Sequence, residues 1–374
     1  MESYRGAKKL ESLSLAVFPF LGSPFLAIEK MDLFKLARTL IDIDSVTPNE
    51  NEVGTYLLGY LSDLADRHGG EVERLEVAAQ RFNVYARWGD PIVTLSTHID
   101  TVPPFISSRE DDTYIWGRGA CDAKGIAAAM IAATVHLLEA GTRNFGLLFV
   151  VGEERGSAGA MAAAKTPRGS RYLINGEPTE NLLALGTKGA LRFEIIARGK
   201  LAHSAYPELG KSAIHALLDV LQDIRRIPLP HDTVLGACTL NVGTICGGRA
   251  PNVVADEASA EIMFRTIGDA DPIHEAVSAA VGGRAEAREV SHTSALRLSS
   301  FDGLPTTVVA FATDIPVLGG QWGKPFLIGP GSIHVAHTAE EHIAKKSLVE
   351  GVEIYARMVT QLLAAQPAAQ QASL

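Results

Sequence analysis

The sequence predicts an α/β protein interrupted by a compact α+β insert, and three observations carry that prediction. Strand-like apolar runs alternate with helical ones along the first half of the chain. The stretch Ile126 to Leu138 is apolar almost all round, as a helix buried on a sheet must be. After Gly186 the pattern changes to a ββαβ-type unit of four strand-like runs and two helices. The 374 residues, 47% hydrophobic and 21% charged, leave room for two or three domains of ordinary globular composition.

Residues 1–30 read as an extension outside the fold. Leu13 to Ile28 is the most apolar stretch there, but Pro19 and Pro24 interrupt it and no small-x-small cleavage site follows, which weakens the competing signal-peptide reading. From Met31 an amphipathic helix begins, with Leu33, Phe34, Ala37, Leu40 and Ile41 as its apolar positions. It opens the first segment of the main domain, residues 31–186. Strands are expected there at Val84 to Trp88, Ile92 to Thr97 and Leu147 to Val151, with a helix from Gly125 to Glu139 before the last of them. The insert covers residues 187–298. Its expected strands are Leu191 to Ala197, Ala237 to Thr244, Ala258 to Thr266 and Ala285 to Val290, and its helices Ser212 to Ile224 and Ile273 to Ala280. Gly186 to Gly189 and Ser299 to Gly303 supply hinges. Residues 299–366 return to the main domain, and 367–374 form a small-residue tail expected to be disordered.

A net charge of −9 argues against a nucleic-acid backbone as partner, since that needs a field of Lys and Arg. No stretch offers the roughly 18 uninterrupted apolar residues of a membrane helix. Cys121, Cys238 and Cys246 form neither a disulfide framework nor a zinc-ribbon spacing, which makes the reduced cytoplasm the expected compartment.

Five loop segments concentrate carboxylates and imidazoles. In Ser96 to Pro103, after an apolar strand, Asp100 stands two residues from His98, so it can hold one ring nitrogen and leave the other for a metal. In Gly117 to Gly125 the glycines allow a tight turn that leaves Asp122 at the mouth of the buried helix; the GxG lacks the rest of a dinucleotide fingerprint. Gly152-Glu153-Glu154 pairs two acids that can divide the work of metal ligand and general base, although Glu is also common in a helix's first turn. Glu177 stands in Asn175 to Thr179, another strand end. In Gly329 to Thr338 either His334 or His337 could be a ligand, and the glycines, Gly331 among them, expose N–H groups to an anion such as a substrate carboxylate.

As an ordered set, HxDTVP at His98, GRGxxDxKG at Gly117, GEE at Gly152, GEPT at Gly176 and GPGxxxxAHTxEE from Gly329 resemble one family of metallo-deacylases and exopeptidases. That family includes acetylornithine deacetylase, succinyl-diaminopimelate desuccinylase, aminoacylase and the carboxypeptidase G type enzymes. The resemblance runs from about Asp32 to Leu363. It implies a mixed-sheet, zinc-exopeptidase-like catalytic domain with an inserted α+β, ferredoxin-like lid and dimerisation domain. It also implies two divalent ions, Zn²⁺ first and Co²⁺ or Mn²⁺ as alternatives. Asp122 would bridge them, with His98 and Glu177 on one ion, Glu154 and His337 on the other, and His334 a neighbour. Glu153 would be the general base, taking the proton of a water shared by the ions and passing it to the departing amine.

In the insert, Gly199 to Ala205 resembles the segment whose histidine, here His203, enters the partner subunit's active site in a homodimer and stabilises the oxyanion. Asn252 and Arg265 match substrate-contacting positions; Arg265 suits a bidentate grip on an α-carboxylate, or else pairs with Glu261 on its own strand face. Exopeptidase members usually carry Asp where Glu177 stands, and Phe311 to Asp314 resembles the acetylornithine and acetyl-lysine deacetylase branch. The expectation is a cytoplasmic, homodimeric amidohydrolase of amino-acid biosynthesis that removes an acyl group, acetyl first, from an N-acyl amino acid such as N-acetylornithine. The alternatives are a dipeptidase or carboxypeptidase of the same family acting on short peptides, and a non-catalytic metal-dependent binding protein, against which the intact Glu153 argues.

Overall fold

The computed structural model describes residues 32–365, so the expectations for residues 1–30, for Met31 as a helix start and for the tail at 367–374 lie outside the described residues. The main domain begins with α1 (Leu33–Asp42) and α2 (Asn51–His68) and continues with α3 (Lys124–Glu139) and α4 (Ala158–Ala164). The strands of its main sheet up to the insert are β1 (Glu71–Ala78), β2 (Arg81–Trp88), β3 (Val93–His98), β4 (Phe145–Val150), β5 (Tyr172–Asn175) and β6 (Leu183–Thr187). The insert supplies β7 (Ala190–Arg198), α5 (Ala213–Ile224), β8 (Thr239–Gly247), β9 (Glu257–Arg265), α6 (Asp271–Val281) and β10 (Glu286–Thr293). The chain returns through β11 (Leu296–Arg297), β12 (Thr306–Val309) and β13 (Lys324–Leu327) and ends in α7 (Lys345–Ala364).

The main sheet runs β1-β2-β4-β3-β5-β13-β6-β11, with β12 also paired to β6. It is mixed. The four central strands β4, β3, β5 and β13 run parallel to one another, while β1 with β2, β2 with β4, β13 with β6 and β11 with β6 pair antiparallel. Side chains alternate between faces along each strand. On one face Val84, Ala86, Leu147, Phe149 and Ile174 pack under α1, α2, α3 and α7; on the other Tyr85, Leu148, Val150 and Leu173 meet Ala160, Ala163 and Trp322. The α3 helix is buried from Lys124 through Thr134, and its entry is dictated by Gly125, where a Cβ would lie 2.1 Å from the Ala120 carbonyl oxygen. Any larger residue there would force α3 off the sheet, and with it the loop before it. Each fully buried Val, Leu, Ile or Phe contributes about 1.5–3 kcal/mol, so a helix buried on all sides is a rigid support.

The insert follows a β-α-β-β-α-β order and forms an antiparallel sheet, β8-β9-β7-β10, which is the ferredoxin-like arrangement. Its core is separate: Leu191, Phe193 and Ile195 of β7 pack with Leu217, Val220 and Leu221 of α5 and Ile273 and Val277 of α6. All six elements expected here form, with ends shifted by up to three residues. The expected limits of 187 and 298 fall on or next to strands of the main sheet. Thr187 still belongs to β6, and Leu296 and Arg297 already pair with Thr187 and Gly186, so the chain's two crossings are zipped together as strands of the main sheet. Among the described residues no helix is long and apolar enough to cross a membrane.

Candidate active site at the ends of four parallel strands

In a parallel sheet all carboxyl ends point to one edge, where the following loops converge. Here that edge collects every acid and histidine proposed for metal binding except Asp122. His98 is the last residue of β3, Glu153 and Glu154 follow β4, Glu177 lies just past β5, and the loop carrying His337 leaves β13. The strands explain the placement. All residues of β3 and β4 are buried, so charged side chains become tolerable where the chain leaves the sheet. Asp122 comes from the turn that launches α3 and is itself buried.

His98 Nε2 lies 2.8 Å from Asp122 Oδ1 and 4.0 Å from Glu177 Oε2. His337 Nε2 lies 2.9 Å from Glu154 Oε1 and 3.2 Å from Asp122 Oδ2. Two donor groups result, His98–Asp122–Glu177 and Asp122–Glu154–His337, each with its ligand atoms within 4.8 Å of one another. Asp122 belongs to both. His337 is held in the left-handed region at φ 64, an unfavourable conformation for a residue with a Cβ, and such local cost is common where geometry serves a site.

The donor chemistry fits cations. His98 Nδ1 lies 3.1 Å from the Asp100 main-chain oxygen, which calls for a proton on Nδ1. A neutral ring then presents the Nε2 lone pair to the Asp122 carboxylate, two acceptors face to face, unless a cation or a second proton lies between them. Glu177 Oε1 is buried and has no hydrogen-bond partner among the described residues. Imidazole and carboxylate in equal reach are the ligands of zinc and similar ions.

A sequence model of peptidase family M20/M25/M40 matches residues 94–361. A peptidase M20 domain-containing protein of Schizosaccharomyces pombe is 39% identical over 340 residues, covering 88% of this chain and 84% of that protein. The chain belongs to peptidase family M20. A further relative in Aspergillus niger, named "probable carboxypeptidase", is 37% identical over 383 residues, covering 90% of this chain and 89% of its own length. Among solved structures, aminopeptidase PepT from Bacillus cereus has the same fold, with a TM-score of 0.73 at 20% identity, covering 88% of this chain and 98% of that one. As an M20 metallopeptidase the protein is a hydrolase of amide bonds. None of these three relatives is named a deacetylase, so they lend no support to the acetylornithine deacetylase branch.

The electrostatics of the M20 site follow from crowding acids in a dry edge. Burial pushes the Glu153 carboxyl up to about 8, with Asp314, Asp122 and Glu154 adding repulsion against the pull of His98. Burial also raises Glu177 well above its ordinary range. Asp122 goes the other way, because hydrogen bonds from His337 and His98 outweigh its burial. His337 is raised to about 10 by its bonds to Asp122 and Glu154. Without metal, protons neutralise this cluster, and a dication would displace them.

Asp100 faces His98 through two groups: its main-chain oxygen lies 3.1 Å from Nδ1 and its carboxylate 3.5 Å from the same nitrogen. The carboxylate also accepts the Glu153 and Glu154 N–H groups at 3.0 and 3.2 Å and the Thr47 hydroxyl at 2.7 Å. The N–H groups of the tight turn after β4 lack other acceptors, and a charge-assisted bond satisfies them best. The Gly331 N–H donates to Ser347 Oγ at 3.3 Å, and at φ +92 a Cβ would lie 2.7 Å from Cys121 Cβ. This glycine serves close packing between the two M20 loops.

His203 and Asn252 come together in the insert: His203 pairs with Val253, and the Ser204 N–H donates to the Asn252 oxygen at 3.0 Å. Both are exposed, and His203 Nδ1 accepts the N–H of Ala205 at 3.1 Å. Arg265 ends β9, half-buried. Thr47, Asp314 and Glu341 are buried contributors that the motif reading passed over. Asp314 stood in a segment noted only for its resemblance, Glu341 at the end of the last motif, and Thr47 gave no signal at all.

Proposed function

We propose that the protein is a two-metal-ion carboxypeptidase or dipeptidase that releases the C-terminal residue of a short peptide. The observation that carries this reading is Arg265, a half-buried guanidinium with no ion-pair partner among the described residues. Glu261, its expected partner, is instead taken by Arg192 at 2.6 Å. An arginine held without a counter-charge is ready for the planar, bidentate grip of a free α-carboxylate. The name borne by the Aspergillus niger relative agrees.

His98, Asp122 and Glu177 would hold one divalent ion, zinc first, and Asp122, Glu154 and His337 the other. Once bound, the pair supplies Lewis acidity to the scissile carbonyl and makes water a nucleophile at neutral pH. Glu153 takes the proton from the attacking water and hands it to the departing amine. Asp100 holds both N–H groups of the Glu153–Glu154 turn and so aims base and ligand together. Asn252 contacts substrate, and His203 reaches the oxyanion from a partner subunit.

Glu177 favours a second reading, the deacylase, because exopeptidase members usually carry Asp at that position, and an N-acyl amino acid offers the same amide beside the same carboxylate. The acyl side separates the two. A hydrolysis panel on ion-loaded protein decides: short peptides and dipeptides are expected to exceed N-acetylornithine, N-acetyllysine and N-succinyl-diaminopimelate by about ten-fold or more in kcat/KM. The reverse order selects the deacylase, and hydrolysis of none by protein carrying both ions sinks both readings.

A homodimer fits the insert. The edge strand β8 leaves backbone groups unpaired on one side, and beside it lies an open groove of about 860 Å³ lined by Leu218, Leu221, Leu240, Val242 and Ile245. Leu218 and Ile245 are half-exposed, at 50% and 56%. Such an edge invites a second copy. Ile245→Lys is expected to give a folded monomer by light scattering, with activity lost because His203 no longer reaches a partner's site; a fully active monomer would count against the shared site. The three cysteines are unpaired, as a reducing cytoplasm allows.

A further inference from the structure

Glu341 lies four residues beyond His337 and belongs to neither donor group. Its side chain is 0% exposed. Arg118 Nη1 donates to Oε2, while Oε1 accepts the N–H groups of Gly119 at 2.9 Å and of Cys121 and Asp122 at 3.3 Å. The Glu341 main-chain oxygen takes the Gly117 N–H at 3.0 Å. The turn from Gly117 to Asp122 has no ladder of its own, and buried N–H groups must find acceptors. Successive N–H groups in such a turn make a concave anion site. Here the anion is the protein's own carboxylate, with Arg118 balancing its charge.

We propose that Glu341 is a positioning residue that ties the turn carrying Asp122 to the loop carrying His337, and so sets the spacing of the second donor group. Both loops are irregular, and Glu341 joins them directly. Asp122 and His337 both hang from it, whereas of the first group only Asp122 does; His98 and Glu177 are fixed by the sheet. The proposal rests on the two-ion reading above. It says why a residue that touches no ion should affect the two ions unequally.

Cobalt titration of the full chain, followed by visible absorption, tests it. The wild-type chain is expected to take up two equivalents; failure there would overturn the two-ion reading itself. Glu341→Gln puts an amide N–H₂ among donors, and Glu341→Asp keeps the charge on a stem one methylene shorter. In each folded variant one equivalent should bind about 10- to 100-fold more weakly, with altered absorption, while the other changes less. Circular dichroism verifies folding, and the aspartate variant serves if the glutamine variant does not fold. Two equivalents bound with wild-type affinity and spectrum in either folded variant would overturn the positioning role alone, as would equal weakening of both.

Discussion

Glu153→Gln, loaded with both ions, is expected to lose about 10²–10⁴-fold in kcat, the range a general base supplies. Glutamine keeps the shape and the Asp100 contact at the main-chain N–H, which involves no side-chain atom of residue 153. It cannot accept a proton. Loss should therefore fall on kcat with KM little changed, because the missing interaction exists only while the proton moves. The wild-type rate should rise with pH as Glu153 ionises, and the variant should lack that limb. Stability moves the opposite way. In ion-free protein burial holds Glu153 near 8 against an ordinary 4.5, so the carboxyl favours the folded state while protonated. That contribution is complete below 4.5 and disappears as pH rises through 8. Ion-free Glu153→Gln should then melt like wild type at pH 4 and higher than wild type at pH 8. Unchanged turnover in a variant with both ions verified would remove Glu153 from the mechanism.

Ligand types cluster at strand ends because buried strands exclude charge, so His98, Glu154 and Glu177 announce themselves by their apolar neighbours. Glu340 and Glu341 are adjacent and alike in sequence. One is exposed and pairs with Arg109 at 3.3 Å, the other is buried under a turn more than two hundred residues earlier, and only tertiary contact distinguishes them. The same holds for Asp100, whose carboxylate was within reach of both His98 and the Glu153 turn. Local spacing saw only the first. In the fold, the insert was legible because its strands alternate cleanly, β7 and β9 being buried at every second residue. The α7 helix carries an equally plain stripe, Leu348, Val352, Tyr355, Val359 and Leu362, but it holds no motif and a reading led by motifs passed over it. His203 is legible only through the family resemblance, since its proposed target lies on another subunit.

Asp122→Asn is expected to be the most damaging single substitution, because its two oxygens face different donor groups: Oδ1 stands 2.8 Å from His98 Nε2 and Oδ2 3.2 Å from His337 Nε2. An asparagine offers one acceptor and one N–H₂, so at least one group loses a ligand, and the other keeps only a weak, uncharged one. A catalytic zinc site needs about three protein ligands, and each group has no spare. Dialysed protein should carry fewer than two ions by elemental analysis, and activity should fall further than the roughly 10²–10⁴-fold expected for losing the base alone. Substituting Glu154 instead should spare the first ion, which separates loss of one site from loss of both. The ion-free state supplies an independent check. Asp122 and Glu154 raise His337 to about 10 from an ordinary 6.5, a contribution to stability complete below 6.5 and lost as pH climbs through 10. Removing the Asp122 charge should therefore lower the ion-free melting temperature at pH 6 and matter progressively less toward pH 10. If Asp122→Asn retained both ions after dialysis, the shared carboxylate would not be the bridge.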